Sequence, residues 1–323
     1  MWHKPTQKWI CFASRRNGQS SGIVVVHILM FVALGAFWGA SPSFYKLLGA
    51  SQMPITHIIV LTGIGVGIGL WLVARWRNGR VRVSRALVYY GMGCGILLNI
   101  PFALQILLSR HVGAAEMAIV FSTAPFFNYL VSVTTGRDRL RATRIFALLA
   151  GFSAGGVLIL TRNATGDGFS WWLVLAFACP VLYAAYNWFT SNSWPDGVDV
   201  NEAGMAESFA SGLVAVPFLI ALALPGVSMG AAPPLVAYWP VAALTLMWIG
   251  ERIVYFTLIR DRGPVYTVQA IYISAPAGVL YGIAFFGETP DIWLWVSLAL
   301  VILALWLNNR PDPNARQVAL KRA

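Results

Sequence analysis

The sequence predicts an all-α integral membrane protein, with ten transmembrane helices arranged as two inverted five-helix repeats. Three observations lead there. Hydrophobic residues make up 58% of the chain and charged residues 11%, against roughly 45–50% and 25% in soluble domains. Apolar runs of membrane length, bounded by charge, proline or glycine, recur along nearly all of the 323 residues. Finally, one stretch echoes another. GAAEMAIVFSTAPFFNYLVSVTTGR, from Gly113 to Arg137, runs parallel to GPVYTVQAIYISAPAGVLYGIAFFGE, from Gly263 to Glu288. Aligning Ala124-Pro125 with Ala275-Pro276 brings Gly136-Arg137 onto Gly287-Glu288 without a gap, and a second apolar run follows each copy.

In chain order, the spans fall near 23–45, 54–74, 86–108, 113–135, 142–161, 170–190, 203–224, 235–258, 264–286 and 290–308. Residues 1–22 form an N-terminal tail, 23–161 the first repeat, 162–308 the second and 309–323 a C-terminal tail. Lys4, Lys8, Arg15 and Arg16 precede the first apolar run, which continues through Phe37-Trp38 without a small-residue cleavage site, so it reads as an uncleaved span. Helix is the state expected of each run, because a single segment in lipid must satisfy its own backbone hydrogen bonds.

The net charge of +11 reports topology. With the N-terminus inside, Lys46, Arg110 and Arg162 fall on the outer side, Arg252 lies within a span, and every other Lys and Arg falls on the inner side. Both termini are therefore expected in the cytoplasm. An odd number of helices per repeat makes the second copy enter the membrane in the opposite sense. Transporters of that design bind substrate near the midplane between their halves.

Other classes find little footing. Cys11, Cys94 and Cys179 are isolated and odd in number, and His3, His27, His57 and His111 are scattered, so neither a disulfide framework nor a metal site is expected. No nucleophile elbow, Ser/Lys pair, H-E-x-x-H or paired-aspartate motif occurs in the spans, so an enzyme is not expected, nor any cofactor. The short loops leave no room for a nucleic-acid partner, and the inverted pair within one chain lets a monomer suffice. TGIGVGIGL, from Thr62, contains Gly63, Gly65, Gly67 and Gly69 in two four-residue spacings; Gly91 and Gly95, and Gly151 and Gly155, repeat them. Within apolar spans this is a pattern for close helix contact.

The Trp38-Gly39 pair followed by Lys46, the Ala-Pro within the fourth and ninth spans, and the closing Gly287-Glu288 together resemble the drug/metabolite transporter superfamily in its ten-helix EamA-type form, over residues 23–308. Within it the chain looks most like the YddG-like exporters. That resemblance implies a bacterial inner-membrane location and aromatic amino acids, or aromatic and cationic xenobiotics, as substrates. The counterpart of Glu288 is Arg137, which the inverted topology places in an inner basic loop.

An ionisable group at bilayer depth costs roughly 2.5–3.5 kcal/mol on insertion scales and so faces a cavity or a partner. Glu116, Glu207, Glu251 and Arg252 stand out. Glu207 is placed near the inner surface, where it is cheapest to solvate. Neighbouring positions on a helix point about 100° apart, so only one of Glu251 and Arg252 is expected to face a narrow cavity. Tyr183 and Asn187 share one face, Trp248 and Tyr255 flank Arg252, and Tyr266, Gln269 and Tyr272 recur at helical spacing. With Trp38 and Asn99 they compose a wall suited to an aromatic zwitterion or a flat cation. Packing and interfacial belts are the competing account of these aromatics. Pro125 and Pro276 are expected to kink their helices at matching depths, as hinges or static bends.

The expected function is export of aromatic amino acids and related small aromatic solutes by alternating access and facilitated diffusion. Glu116 would be the first carboxylate to carry protons if transport were coupled. The alternatives are a broad exporter of cationic aromatic drugs driven by proton antiport and, from another class, a non-transporting membrane scaffold or channel.

Overall fold

The structure is a computed structural model and describes residues 21–51, 53–136, 170–222, 238–262, 266–267, 269–308 and isolated positions between 145 and 160. Most of the fifth expected span, Arg137, the Gly151/Gly155 pair and most of both tails lie outside the described residues. Every regular element among the described residues is helical. The helices are α1 (Ser21–Ala50), α2 (Ile55–Asn78), α3 (Arg85–Leu108), α4 (Ala114–Phe121), α5 (Ala124–Thr134), α6 (Trp171–Ala176), α7 (Ala178–Asn192), α8 (Val200–Leu222), α9 (Trp239–Arg262), α10 (Ile271–Phe286) and α11 (Ile292–Asn308).

Among the described residues, six stretches are long and apolar enough to cross a membrane: Val25–Ala50, Ile55–Arg77, Arg85–Leu108, Ala114–Thr134, Trp171–Asn192 and Trp239–Arg262. Ile271–Phe286 and Ile292–Ala304 are shorter apolar helices. Two of the six are broken near their middles. The fourth expected span divides at Ser122-Thr123, just ahead of Pro125, and the sixth at Phe177, three residues ahead of Pro180. Hydroxyls stabilise the first break: Ser122 Oγ donates to the Ala118 carbonyl at 2.8 Å and Thr123 Oγ1 to that of Val120 at 2.6 Å. Both carbonyls also accept backbone N–H groups, from Ser122 and Thr123, so the hydroxyls add a second bond to each at the break.

Where lipid offers no hydrophobic drive between helices, small residues let backbones approach. The glycine stripes of α2 serve two different neighbours. A methyl group added at Gly63 would lie 2.5 Å from the Gly212 nitrogen, and Gly67 abuts Phe209, so this stripe meets α8. Gly65 and Gly69 meet Thr245 and Ile249 of α9. Gly91 and Gly95 of α3 rest on Ala206, Ala210 and Ser211 of α8, while Gly35 and Gly39 of α1 rest on α10. These contacts hold α1, α2 and α3 against α8, α9 and α10, and they leave a space between them.

Candidate functional site

That space is a cavity of about 160 Å³, close to the roughly 150 Å³ that admits a benzene ring in an engineered protein core. Its wall draws on six parts of the bundle. Trp38, Ser41, Pro42 and Tyr45 come from α1; Leu98 and Gln105 from α3; Phe121, Ala124, Pro125 and Asn128 from the broken α4–α5 pair. Tyr183, Tyr186 and Asn187 come from α7, Trp248, Glu251, Arg252 and Tyr255 from α9, and Ile271 and Ser274 from the start of α10.

The aromatic side chains of this wall touch one another at angles. Trp38 and Tyr255 have ring centroids 6.0 Å apart, Phe121 and Tyr183 5.9 Å, and Tyr183 and Tyr186 6.3 Å. Behind Trp248 stands Phe102, at 4.7 Å. Gln105 Nε2 donates to the Tyr183 hydroxyl at 2.8 Å, joining α3 to α7. Asn128 Nδ2 donates back to the Ala124 carbonyl at 2.9 Å, within the first turn after the break.

A charged network closes one side. Trp38 Nε1 donates to Glu251 Oε1 at 2.9 Å, and Glu251 Oε2 stands 3.6 Å from Arg252 Nε. Arg252 Nη2 lies 3.1 Å from Glu207 Oε1, an ion pair without hydrogen-bond alignment at that oxygen, while Glu207 Oε2 accepts the Tyr186 hydroxyl. Two carboxylates thus share one guanidinium, giving the cluster a formal charge of −1. The guanidinium carbon also lies 5.9 Å from the Trp248 ring centroid.

Two expectations about this cluster are corrected. Glu251 and Arg252 both line the cavity. Their backbone directions diverge as helical geometry requires, but the long side chains bend toward a common ion pair and the Trp38 donor. Glu207 is wholly buried rather than near a solvated surface. Tyr186 of α7 and Arg252 of α9 close over it, and α8 starts at Val200 and not near 203. Glu207 therefore sits about two turns inside the helix, enclosed by its partners.

Of the other residues singled out, Trp38, Pro125, Tyr183, Asn187, Trp248 and Tyr255 meet at the cavity, whereas Asn99, Glu116, Tyr266, Gln269, Tyr272 and Pro276 are not in its wall. Asn99 donates from Nδ2 to the Ser211 carbonyl at 2.9 Å and accepts the Ser211 hydroxyl, so both ends of its amide tie α3 to α8. Glu116 Oε2 reaches back to the Gly113 N–H at 2.9 Å and closes the first turn of α4. Tyr266 meets the Phe31 ring at a tilt, with centroids 5.1 Å apart, and has the Arg262 guanidinium over its own ring. A turn at Gln269-Ala270 separates these positions from α10, which begins at Ile271. Ile271 and Ser274 of α10 reach the cavity, whereas Gln269 stays in the turn and Tyr272, in the first turn of α10, packs against the core beside it. Pro276 lies inside α10, while Pro125 opens α5, so the two prolines do not occupy equivalent places in their helices.

Tyr45, Gln105, Asn128 and Tyr186 were not among the expected site residues. Tyr186 could have been found, since it lies three positions after Tyr183 and one before Asn187. Among the described residues, no group of three or more His, Cys, Asp or Glu is placed to hold a metal ion.

A second ionic node sits away from the cavity. Lys46 Nζ donates to Glu288 Oε1 at 2.5 Å, and the two Glu288 oxygens accept the N–H groups of Ala114 and Ala115 at 2.9 and 3.0 Å. Gly287 makes this possible by ending α10 in the left-handed conformation, at φ 60°. Burial by itself would raise the Glu288 carboxyl, but the Lys46 ammonium and the two amides outweigh it and hold the group below its ordinary value. Thus Lys46 and Gly287-Glu288, far apart in sequence, lock the ends of α1 and α10 onto the N-terminus of α4.

No family model matches the sequence. Over 281 residues, covering 85% of this chain and 88% of the relative, it is 24% identical to the uncharacterized inner membrane transporter YedA of Escherichia coli K12. The YedA proteins of strains O6:H1 and O157:H7 match to the same extent. A solved crystal structure of a protein superposes with a TM-score of 0.62 over 88% of this chain and 97% of that one, at 18% identity. This chain is therefore homologous to an inner membrane transporter and shares its fold with a known structure.

Proposed function

We propose that this chain is an inner-membrane secondary transporter of the drug/metabolite transporter superfamily, which exports aromatic amino acids and related small aromatic solutes by alternating access and facilitated diffusion. The observation that carries this reading is a ring-sized, aromatic-walled cavity with a buried charged network at its side, assembled from both parts of the chain. The homology to YedA supports the transporter class. An aromatic ring would stack among Trp38, Tyr183, Trp248 and Tyr255. The ammonium group would be met by Glu251 and the carboxylate by N–H groups of Arg252 directed away from its two carboxylate partners.

The ten-helix inverted arrangement belongs to the same proposal, and the packing supports it. α1 packs on α10 and α9, while α7, its counterpart in the second repeat, packs on α5 and α3. Likewise, α2 packs on α9 and α8 on α3. Exchanging the repeats maps each of these contacts onto another of them, as a two-fold axis in the membrane plane would require. Both termini would then be cytoplasmic, and the Lys46–Glu288 node would close the outer end.

The negative cluster favours a second reading, in which the substrate is an aromatic cation exchanged for protons. One experiment separates them: uptake of labelled tryptophan into liposomes holding the purified protein, with and without a pH gradient and with unlabelled competitors. Saturable uptake blocked by phenylalanine or tyrosine and indifferent to the gradient supports facilitated amino-acid transport. Uptake that needs the gradient and is blocked only by flat aromatic cations supports the second reading. No uptake above that of empty liposomes, for tryptophan or for an aromatic cation, would count against both.

A further inference from the structure

The chain contains no Asp or Glu before Glu116, yet it places Arg75, Arg77, Arg80, Arg82 and Arg85 within eleven residues. These arginines bracket the connection between α2 and α3, and all five are exposed. The connection is built rather than loose. Gly79 ends α2 at φ 67°, with its own carbonyl accepting from the Arg75 guanidinium. Ser84 starts α3 by accepting the Leu87 N–H at 3.1 Å. Glu202, in the first turn of α8, accepts the Arg82 backbone N–H at 2.9 Å and so pins the loop from the side. That carboxylate is the acidic group which touches the loop, and it meets the backbone. Among the described residues, no ion pair involves Arg77, Arg80, Arg82 or Arg85.

Beside these cations stand two of the most exposed aromatics in the protein, Trp76 at 83% and Tyr89 at 77%, with Val83 exposed between them. Trp and Tyr at the ends of membrane helices sit at the headgroup level. Guanidinium groups interleaved with them therefore lie at the depth of lipid phosphates, which they bind in a planar, bidentate fashion.

We propose that the α2–α3 connection is a docking surface for anionic phospholipid headgroups, with Arg77, Arg80 and Arg82 as its principal contacts. This rests on the reading of α2 and α3 as membrane-crossing helices. It commits to lipid over soluble anions because the arginines are fixed next to exposed apolar and aromatic side chains, an arrangement suited to the boundary of a bilayer. Since Glu202 joins the loop to α8, the helix that carries Glu207, a headgroup held here would brace one wall of the charged network.

The test is native mass spectrometry of the purified full-length protein in detergent, titrated separately with dioleoyl phosphatidylglycerol and dioleoyl phosphatidylcholine. Phosphatidylglycerol is expected to bind at least about tenfold more tightly. The variant Arg77→Gln/Arg80→Gln/Arg82→Gln should lose roughly 100-fold of that affinity, about fivefold for each arginine near an anionic surface, with phosphatidylcholine binding unchanged. If the triple variant does not fold, Arg77→Gln and Arg80→Gln singly should each lose about fivefold. Equal binding of the two lipids by the wild type, or an undiminished preference in the variants, overturns the proposal. So does displacement of phosphatidylglycerol by millimolar inorganic phosphate, which would assign the surface to soluble anions. A failure of tryptophan transport leaves the lipid preference standing, and loss of the preference leaves the transport reading standing, so the two fail separately.

Discussion

Trp38 Nε1 and Glu251 Oε1 lie 2.9 Å apart, across 213 positions of sequence, and this hydrogen bond joins α1 to α9 at the cavity wall. The indole is at once part of the aromatic wall and a donor to the carboxylate that faces Arg252. Structure and proposed substrate contact therefore meet in one side chain.

Replacing Trp38 with Phe keeps an aromatic wall but leaves the Glu251 carboxylate one donor short. Hydrogen bonds to charged groups contribute about 1.5–3 kcal/mol. Trp38→Phe is therefore expected to lower tryptophan transport efficiency by about tenfold or more, and Trp38→Ala by a larger factor because the wall goes too. Initial-rate uptake at varied substrate concentration checks this; wild-type transport by Trp38→Phe would show that the donor is unimportant, and equal losses for the two variants that the ring is.

Arg252 is shared by Glu207 and Glu251 in a setting where its side chain is 9% exposed and that of Glu207 is fully buried. Removing one partner from a buried ion pair leaves an uncompensated charge and typically costs about 3–5 kcal/mol. Arg252→Met should therefore destabilise the fold by about that amount, and pairing it with Glu207→Gln should recover part of the loss. Thermal unfolding in detergent across the four-member mutant cycle measures the coupling; additive losses would contradict it.

The Glu288 node gives a pH dependence of known sign. Its carboxyl is held below the ordinary value by Lys46 and the α4 amides, against the effect of burial. A depressed folded-state pKa contributes stability that is complete above the unfolded value, about 4.3 for Glu, and is lost as pH falls through the folded value. The melting temperature of wild type should exceed that of Glu288→Gln at about pH 6, and the gap should close on acidification toward about pH 3. A gap that persists at low pH would mean that the charge is not the source of the difference.

At Gly63 a methyl group would lie 2.5 Å from the Gly212 backbone nitrogen, so α2 and α8 would have to separate. Gly63→Ala should cost about 1–3 kcal/mol through overpacking. At Gly250, within α9, an added methyl group would meet the Phe37 ring at an ordinary 3.6 Å, so Gly250→Ala should be neutral or slightly stabilising. Parallel thermal melts of the two variants check both statements.

The membrane character, the six stretches able to cross a bilayer and the glycine stripes were legible in the sequence, because each depends on a local period or on bulk apolarity. So was the aromatic theme, since Tyr183, Asn187, Trp248 and Tyr255 fall within helices whose register holds through the cavity. Register failed where a helix is interrupted. Gln269 falls in the turn before Ile271, outside the helix in which the hydropathy pattern puts it. Asn99 shows a different limit: an amide in a membrane span satisfies itself equally well on a cavity or on a neighbouring helix, and only the position of Ser211, 112 residues away, decides which. The same holds for Glu207, whose burial depends on Tyr186 and Arg252, brought to it from two other helices.

The most direct test of the central claim is to fill the cavity and ask whether transport stops. Asn187 lines it from α7 and is only partly buried, so Asn187→Trp adds bulk where the aromatic ring is proposed to sit. The measurement is labelled tryptophan uptake into liposomes by wild type and Asn187→Trp, with the melting temperature of each recorded to establish folding. The account predicts saturable uptake by the wild type and its loss in a variant that remains folded. Undiminished uptake by folded Asn187→Trp would contradict the claim that this cavity carries the substrate.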